Sequence, residues 1–197
     1  MTMLGRRLLK MANNKTLDFS SYNFTNEDVV LLDTNIWLFL SPPPSSPKKH
    51  FVTKYTRACK NILTAKSKII FDRTVLGEYM NRYCRIEWKA YQKKNSVELE
   101  FKEYRNLPDF QPVAESAAKF ASQFIVRSRF VEWQLDQETL GSMLSTFSKG
   151  HADWSDLLLI DVCQRSNAML VTDDTDFASA PVTILTCNPV LLNSFHH

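Results

Sequence analysis

Residues 29–38 read Val29-Val30-Leu31-Leu32-Asp33-Thr34-Asn35-Ile36-Trp37-Leu38. A short unbroken aliphatic run rich in β-branched residues suits a strand buried on both faces of a parallel sheet, where no solvent-facing side asks for alternation. The run stops at three polar residues and resumes as the apolar start of a helix. The same grammar returns twice. Lys68-Ile69-Ile70-Phe71 leads into a helix opening near Arg73-Thr74, and the apolar helix 155–166 feeds a buried strand at 168–171. A last strand is expected at 182–185. Strands alternating with helices imply an α/β fold around a mostly parallel sheet.

The remaining segments fill in around this frame. Residues 1–28 are polar, rich in Asn and Ser, and suggest a loosely held N-terminal arm or cap, leaving 29–197 as one domain. The Pro-rich stretch 41–47 breaks the chain as an exposed turn. Helical spacing of Phe51, Tyr55, Ala58, Ile62 and Leu63 predicts a helix over 51–65 with its lysines outside. Residues 84–105 and 113–127 are helical in character, 130–133 suggests a short strand, and 137–147 another helix.

At 197 residues and 44% hydrophobic composition, the chain suits one packed domain rather than two. No stretch approaches the ~18 consecutive apolar residues of a membrane span. With 4 glycines and neither a Gly-x-x-x-x-Gly-Lys nor a Gly-x-Gly-x-x-Gly run, a glycine-built phosphate loop is excluded. Cys59, Cys84, Cys163 and Cys187 are scattered, with no Cys-x-x-Cys pair. They read as reduced, buried thiols of a cytoplasmic protein. The basic segment at residues 1–10 is too short in its apolar core for a secretory signal.

The net charge of +3 conceals an uneven layout. Residues 34–71 hold no acid but carry Lys48, Lys49, Lys54, Arg57, Lys60, Lys66 and Lys68; from residue 110 onward acids outnumber bases. A basic block is either a solvated helix face or a surface that neutralises phosphates. An acidic half beside it would repel the same polyanion unless metal ions were held between them.

The acids themselves occupy telling positions. In open α/β sheets, functional groups gather beyond the carboxyl ends of the strands. Asp33 follows the first strand directly; Asp173, Asp174 and Asp176 follow the strand at 168–171. Glu78 lies one helical turn into the helix after the second strand, and Asp156 opens the apolar helix. Each has an ordinary alternative: a turn or cap for Asp33, solvent for Glu78, a helix dipole for Asp156, an acidic loop for the last group. Taken jointly, carboxylates converging on one cleft call for a hard divalent cation with oxygen ligands, Mg2+ or Mn2+.

Four blocks carry a family resemblance: Val29 to Asn35; Val75-Leu76-Gly77-Glu78-Tyr79; Ser155-Asp156-Leu157-Leu158-Leu159-Ile160; and Leu170-Val171-Thr172-Asp173-Asp174-Thr175-Asp176-Phe177. In order and setting they resemble the PIN-domain nucleases. The resemblance implies a three-layer α/β sandwich with a central twisted sheet of four to five strands, here with a helical insertion at residues 84–133. It further implies that Asp33, Glu78, Asp156 and Asp174 form a catalytic site for Mg2+ or Mn2+, with Asp176 as a fifth metal-site acid. Thr34 and Asn35 match residues that hold the first aspartate and a nearby water, and Thr172 belongs to the same supporting set. Asp153 and Asp161 compete for the third position; Asp156 is preferred because the helix core follows it at once. His151 is read as incidental.

By the same resemblance the chain is expected to be an endoribonuclease acting on RNA. Expected partners are an antitoxin protein, if it is the toxin of a toxin–antitoxin pair, and a second copy in a homodimer. Lys48, Lys49, Lys54, Arg57, Arg73 and Arg82 are expected along the nucleic acid. A structure-specific DNA nuclease and a non-catalytic nucleic-acid-binding module are the alternatives. A phosphatase is disfavoured, because Asp33 begins no Asp-x-Asp.

Overall fold

Val30, Leu31 and Leu32 are fully buried, as an aliphatic run in the middle of a sheet requires. A computed structural model describes residues 15–46, 52–150 and 152–193. Its strands are β1 (Thr16–Asp18), β2 (Val29–Leu32), β3 (Lys68–Phe71), β4 (Arg129–Phe130), β5 (Met169–Val171) and β6 (Ile184–Thr186). They form a single six-stranded sheet in the order β1-β6-β5-β2-β3-β4, and every neighbouring pair is parallel. The flanking helices are α1 (Thr34–Leu40), α2 (Val52–Ala65), α3 (Arg73–Asn95), α4 (Phe101–Tyr104), α5 (Phe110–Arg127), α6 (Gln137–Phe147), α7 (Trp154–Ser166) and α8 (Pro189–Asn193).

The α/β expectation therefore holds, with six strands instead of four to five. One extra strand lies where composition alone suggests a loose arm. β1 pairs with β6, and Phe19 just after it is completely buried. A three-residue strand in a polar setting has too little periodicity to announce itself; pairing with β6 and burial of Phe19 stabilise it. Residues 1–14 lie outside the described residues, as do Phe51 and the end of the 41–47 break.

The middle region packs onto the core and does not hang from it. α3 runs unbroken from Arg73 to Asn95, capped at its start by Asp72, whose Oδ1 accepts the Val75 N–H at 3.0 Å. Pro112 falls in the first turn of α5, where its missing N–H costs no helical hydrogen bond. From α5, Phe124 stacks on Trp37 of α1 with ring centroids 3.9 Å apart and meets Tyr79 of α3 edge-on at 4.6 Å. α7 ends where Asn167 turns left-handed at φ 51°, a conformation asparagine tolerates, and β5 begins two residues later.

Because all strands point the same way, their carboxyl ends share one rim. Along it, in spatial order, stand Asp18 at the end of β1, Cys187, Thr172, Asp33 and Asp72. The ladder continues one residue past several strands: the Asp33 N–H donates to Val171 O at 3.0 Å and the Thr172 N–H to Leu185 O at 3.2 Å. Side chains on the rim are thus fixed by sheet hydrogen bonds.

Candidate active site

Asp33 is 5% exposed and lies between β5 and β3 on the rim. A buried carboxylate needs donors, and neighbouring elements provide them. The Thr172 hydroxyl and the Asn35 amide each donate to Asp33 Oδ2 at 2.6 Å. The Thr172 hydroxyl oxygen in turn accepts the Asp174 N–H at 3.0 Å and the Asn35 amide at 3.2 Å. One buried hydroxyl thereby ties the first aspartate to the loop carrying the last. Thr34, beside Asp33 but pointing elsewhere, donates to Glu78 Oε2 at 3.0 Å. Two adjacent residues at the start of α1, Thr34 and Asn35, so position carboxylates from two elements, Glu78 of α3 and Asp33 at the end of β2.

The fourth acid enters from α7. Asp156 sits in the first helical turn and accepts a hydrogen bond from the Asp153 backbone N–H, so its ordinary role at a helix N-terminus is also fulfilled. Its neighbours show where it faces. Burial foremost, opposed by that N–H, then the charges of Asp153, Asp174 and Asp176, push the Asp156 carboxyl up to about 6. Asp33 is likewise pushed up to about 6, mainly by burial, with Glu78 and Asp174 adding to it and the Thr172 hydroxyl opposing. Asp174 is the common neighbour. The acids form a row, Glu78, Asp33, Asp174, Asp156, with Asp176 beyond; the Asp176 N–H donates to Asp174 Oδ1 at 3.1 Å.

This is looser than the single nest the sequence suggests. Among the described residues, no three His, Cys, Asp or Glu side chains stand close enough together to hold an ion as they are. Their chemistry fits one all the same: the donors are all oxygen, and two carboxyls, Asp33 and Asp156, are raised by burial and by the charge of neighbouring acids. Like charges oppose closer approach until a cation offsets them.

The other sequence candidates divide. Arg82 pairs with Glu78 Oε1 at 3.1 Å, and Arg73 with Glu132 at 3.0 Å. Each arginine thus has a carboxylate within reach. Lys54 and Arg57 project from α2 into a cleft of about 340 Å³ shared with Asp18, Asn61 and Cys187, beyond β6. Asp161 chelates Arg165 through both oxygens, at 2.9 and 2.7 Å, which removes it as a rival to Asp156. Lys48, Lys49 and His151 lie outside the described residues.

Two residues of consequence escape sequence reasoning. Tyr55 looks like one more apolar position of α2, yet its hydroxyl meets Thr172 O at 3.1 Å, Asp173 Oδ1 at 2.8 Å and Thr186 Oγ1 at 3.0 Å, and accepts the Cys187 N–H at 2.9 Å. It anchors the acidic loop from behind, with Asn188 donating to Asp173 O at 2.8 Å. Asp72 occupies the rim position on β3 that Asp33 occupies on β2. A tyrosine at a helical core position gives no sign of its hydroxyl's partners, but Asp72 directly after a buried strand is the very signal used for Asp33.

The PIN domain family profile matches residues 30–182. The chain belongs to the PIN-domain family. PIN domains are typically nucleases and generally use divalent metal ions. The fold matches the crystal structure of VapBC2 from Rickettsia felis bound to a DNA fragment from their promoter, with a TM-score of 0.50 and 15% identity, covering 80% of this chain and 98% of that one. No curated protein sequence matches. No helix among the described residues of this PIN domain is long and apolar enough to cross a membrane.

Proposed function

We propose that this PIN domain is a metal-dependent endoribonuclease, hydrolysing RNA phosphodiester bonds at the row formed by Asp33, Glu78, Asp156 and Asp174. The supporting observation is the pair of hydroxyl bridges, Thr172 to Asp33 and Thr34 to Glu78, which hold acids from β2, the β5 loop and α3 on one rim of the sheet. Asp33, Glu78, Asp156 and Asp174, with Asp176 beside them, would hold Mg2+ or Mn2+. When bound, a divalent cation supplies Lewis acidity and neutralises negative charge developing on the phosphoryl group. The chain's own part is positional. Thr172 and Asn35 fix Asp33, Thr34 fixes Glu78, and Tyr55 with Asn188 fixes the loop of Asp174. Lys54 and Arg57 extend positive charge along the same rim toward β1.

The catalytic unit proposed spans 29–197, to which the N-terminal arm 1–28 adds edge strand β1 and the buried Phe19, acting in the cytoplasm. As biological setting we propose the toxin of a toxin–antitoxin pair, working as a homodimer and neutralised by an antitoxin protein; the fold shared with VapBC2 supports this. The test is cleavage of labelled single-stranded RNA and of flap DNA with Mn2+ or Mg2+, by the wild type and by Asp33→Asn. RNA cleavage that needs the metal and vanishes in the variant is expected. Cleavage of flap DNA alone would replace the ribonuclease reading with the DNA-nuclease one, and unchanged cleavage by the variant would remove the mechanism.

A further inference from the structure

Next to the acidic row, on its β3 side, opens a second cleft of about 250 Å³. Its walls are the indoles of Trp133 and Trp154 with Leu135 and Leu158, and its polar edge carries Asp72 and Asp161. The same secondary structure that presents the acids builds it. Asp72 and Asp33 sit at equivalent positions on paired strands, since Leu31 is in register with Ile70, and neighbouring strands run ~4.8 Å apart. The buried Cys163 thiol, pushed up first by burial, is pushed further by both Asp72 and Asp33. Trp154 precedes Asp156 by two residues on α7, and Thr74, also lining the cleft, precedes Glu78 by one turn of α3.

The lining selects its occupant. Two tryptophans line it, and an indole face suits stacking against a planar ring system. A cleft of this volume falls below the ~300 Å³ at which sites for drug-sized ligands begin, so it takes a single small unit. At its edge Asp161 is tied to Arg165 through both oxygens, while Asp72 caps α3 with Oδ1 and keeps Oδ2 to accept from an N–H donor. Trp133 is 41% exposed, so its indole is open to a stacking partner. At the mouth, Arg73 and Glu132 form an ion pair with side chains 71% and 57% exposed; so open a pair is weakly held, and a phosphate can compete for the arginine.

We propose that this cleft is a nucleobase pocket. It takes one unpaired base of the RNA next to the scissile bond, stacked on Trp133 and Trp154, with Asp72 favouring bases that carry an exocyclic amine and Arg73 receiving the adjoining phosphate. The proposal rests on the nuclease reading for its substrate, yet it is separable from it, because binding needs neither metal nor cleavage. Sequence preference in the substrate then arises in part from base stacking outside the acidic row.

The experiment is metal-free binding of short single-stranded oligo(A), oligo(C), oligo(U) and an abasic oligonucleotide to the full chain, read by tryptophan fluorescence quenching and by anisotropy of a labelled strand. Oligo(A) and oligo(C) are expected to quench and to bind more tightly than oligo(U), and the abasic strand to bind most weakly. Trp133→Ala, at an exposed loop position, is expected to lose roughly tenfold in affinity together with much of the quench, and Trp133→Phe to keep most of the affinity. Equal affinity for the abasic strand, or an unchanged quench and affinity in Trp133→Ala, overturns the pocket. Equal binding of oligo(U) overturns the amine preference. A wild type that binds as described but cleaves nothing leaves the pocket standing and removes the nuclease reading; RNA cleavage with no effect of Trp133→Ala on binding does the reverse.

Discussion

Replacing Asp33 by Asn gives the sharpest test of how this rim is built. In the folded chain the Asp33 carboxyl titrates near 6, against 3.8 for the ordinary group, with burial as the main cause. The folded state therefore binds a proton more tightly than the unfolded state. Its contribution is fully present below about pH 3.8 and is lost as pH rises through about 6. At pH 5 the folded carboxyl is about 90% protonated and the unfolded one almost wholly ionised, so moving from pH 8 to pH 5 stabilises the wild type by about 1.4 kcal/mol through this group. Asparagine carries no such proton. The stability difference between Asp33→Asn and the wild type is thus expected to favour the variant by about 1.4 kcal/mol more at pH 8 than at pH 5. For a chain of this size that is a relative shift of about 3–6 °C in the unfolding midpoint. The assay is thermal and urea denaturation of both proteins with EDTA at the two pH values. Taking the difference between proteins cancels groups that titrate alike in both. A difference that stays constant with pH, or grows in the opposite direction, refutes the claim that Asp33 is an ionisable group held at a cost.

Other outcomes follow from the same contacts. Asp174→Asn removes a charge that raises both Asp33 and Asp156, so both carboxyls are expected to titrate lower, as carbon-detected NMR of the side chains can read. Millimolar Mn2+ or Mg2+ is expected to raise the unfolding midpoint of the wild type and to do so less in Asp33→Asn and Asp174→Asn, since an ion bound only by the folded chain stabilises it. Thr172→Val deletes the hydroxyl that bridges Asp33 and the Asp174 N–H; a loss of about 1–3 kcal/mol by urea denaturation is expected, with Thr172→Ser largely restoring it. Tyr55→Phe leaves the buried Cys187 N–H without its partner and frees the Asp173 loop. It is expected to cost about 1–3 kcal/mol and to raise hydrogen exchange around residues 172–174.

What sequence reading captured is local. The β2 run, the turn Asp33-Thr34-Asn35 and the apolar start of α1 form a segment whose pattern specifies its own structure: aliphatic residues must be buried, and a strand ending in polar residues places them on a rim. The same holds for β3 before α3 and for α7 before β5. These patterns singled out Asp33, Glu78, Asp156 and Asp174. They also pointed to α2 as a basic helix with a buried face, although the purpose of Tyr55 on that face stayed hidden. β1 went unseen because three residues in a polar context bury too little to leave a periodic trace.

Which strands become neighbours was decided only when the chain folded. The order β1-β6-β5-β2-β3-β4 brings β5 beside β2 across more than a hundred residues, and nothing within either strand encodes that choice. It follows from burying both sheet faces under helices at once, a property of the whole chain. That adjacency carries the Thr172 hydroxyl to Asp33, and the β2–β3 pairing sets Asp72 next to it. The β3–β4 pairing likewise brings Glu132 to Arg73, whereas Arg82 meets Glu78 by local i,i+4 spacing within α3. Residue type thus determined which groups lie at strand ends, and three-dimensional packing determined which of those groups meet.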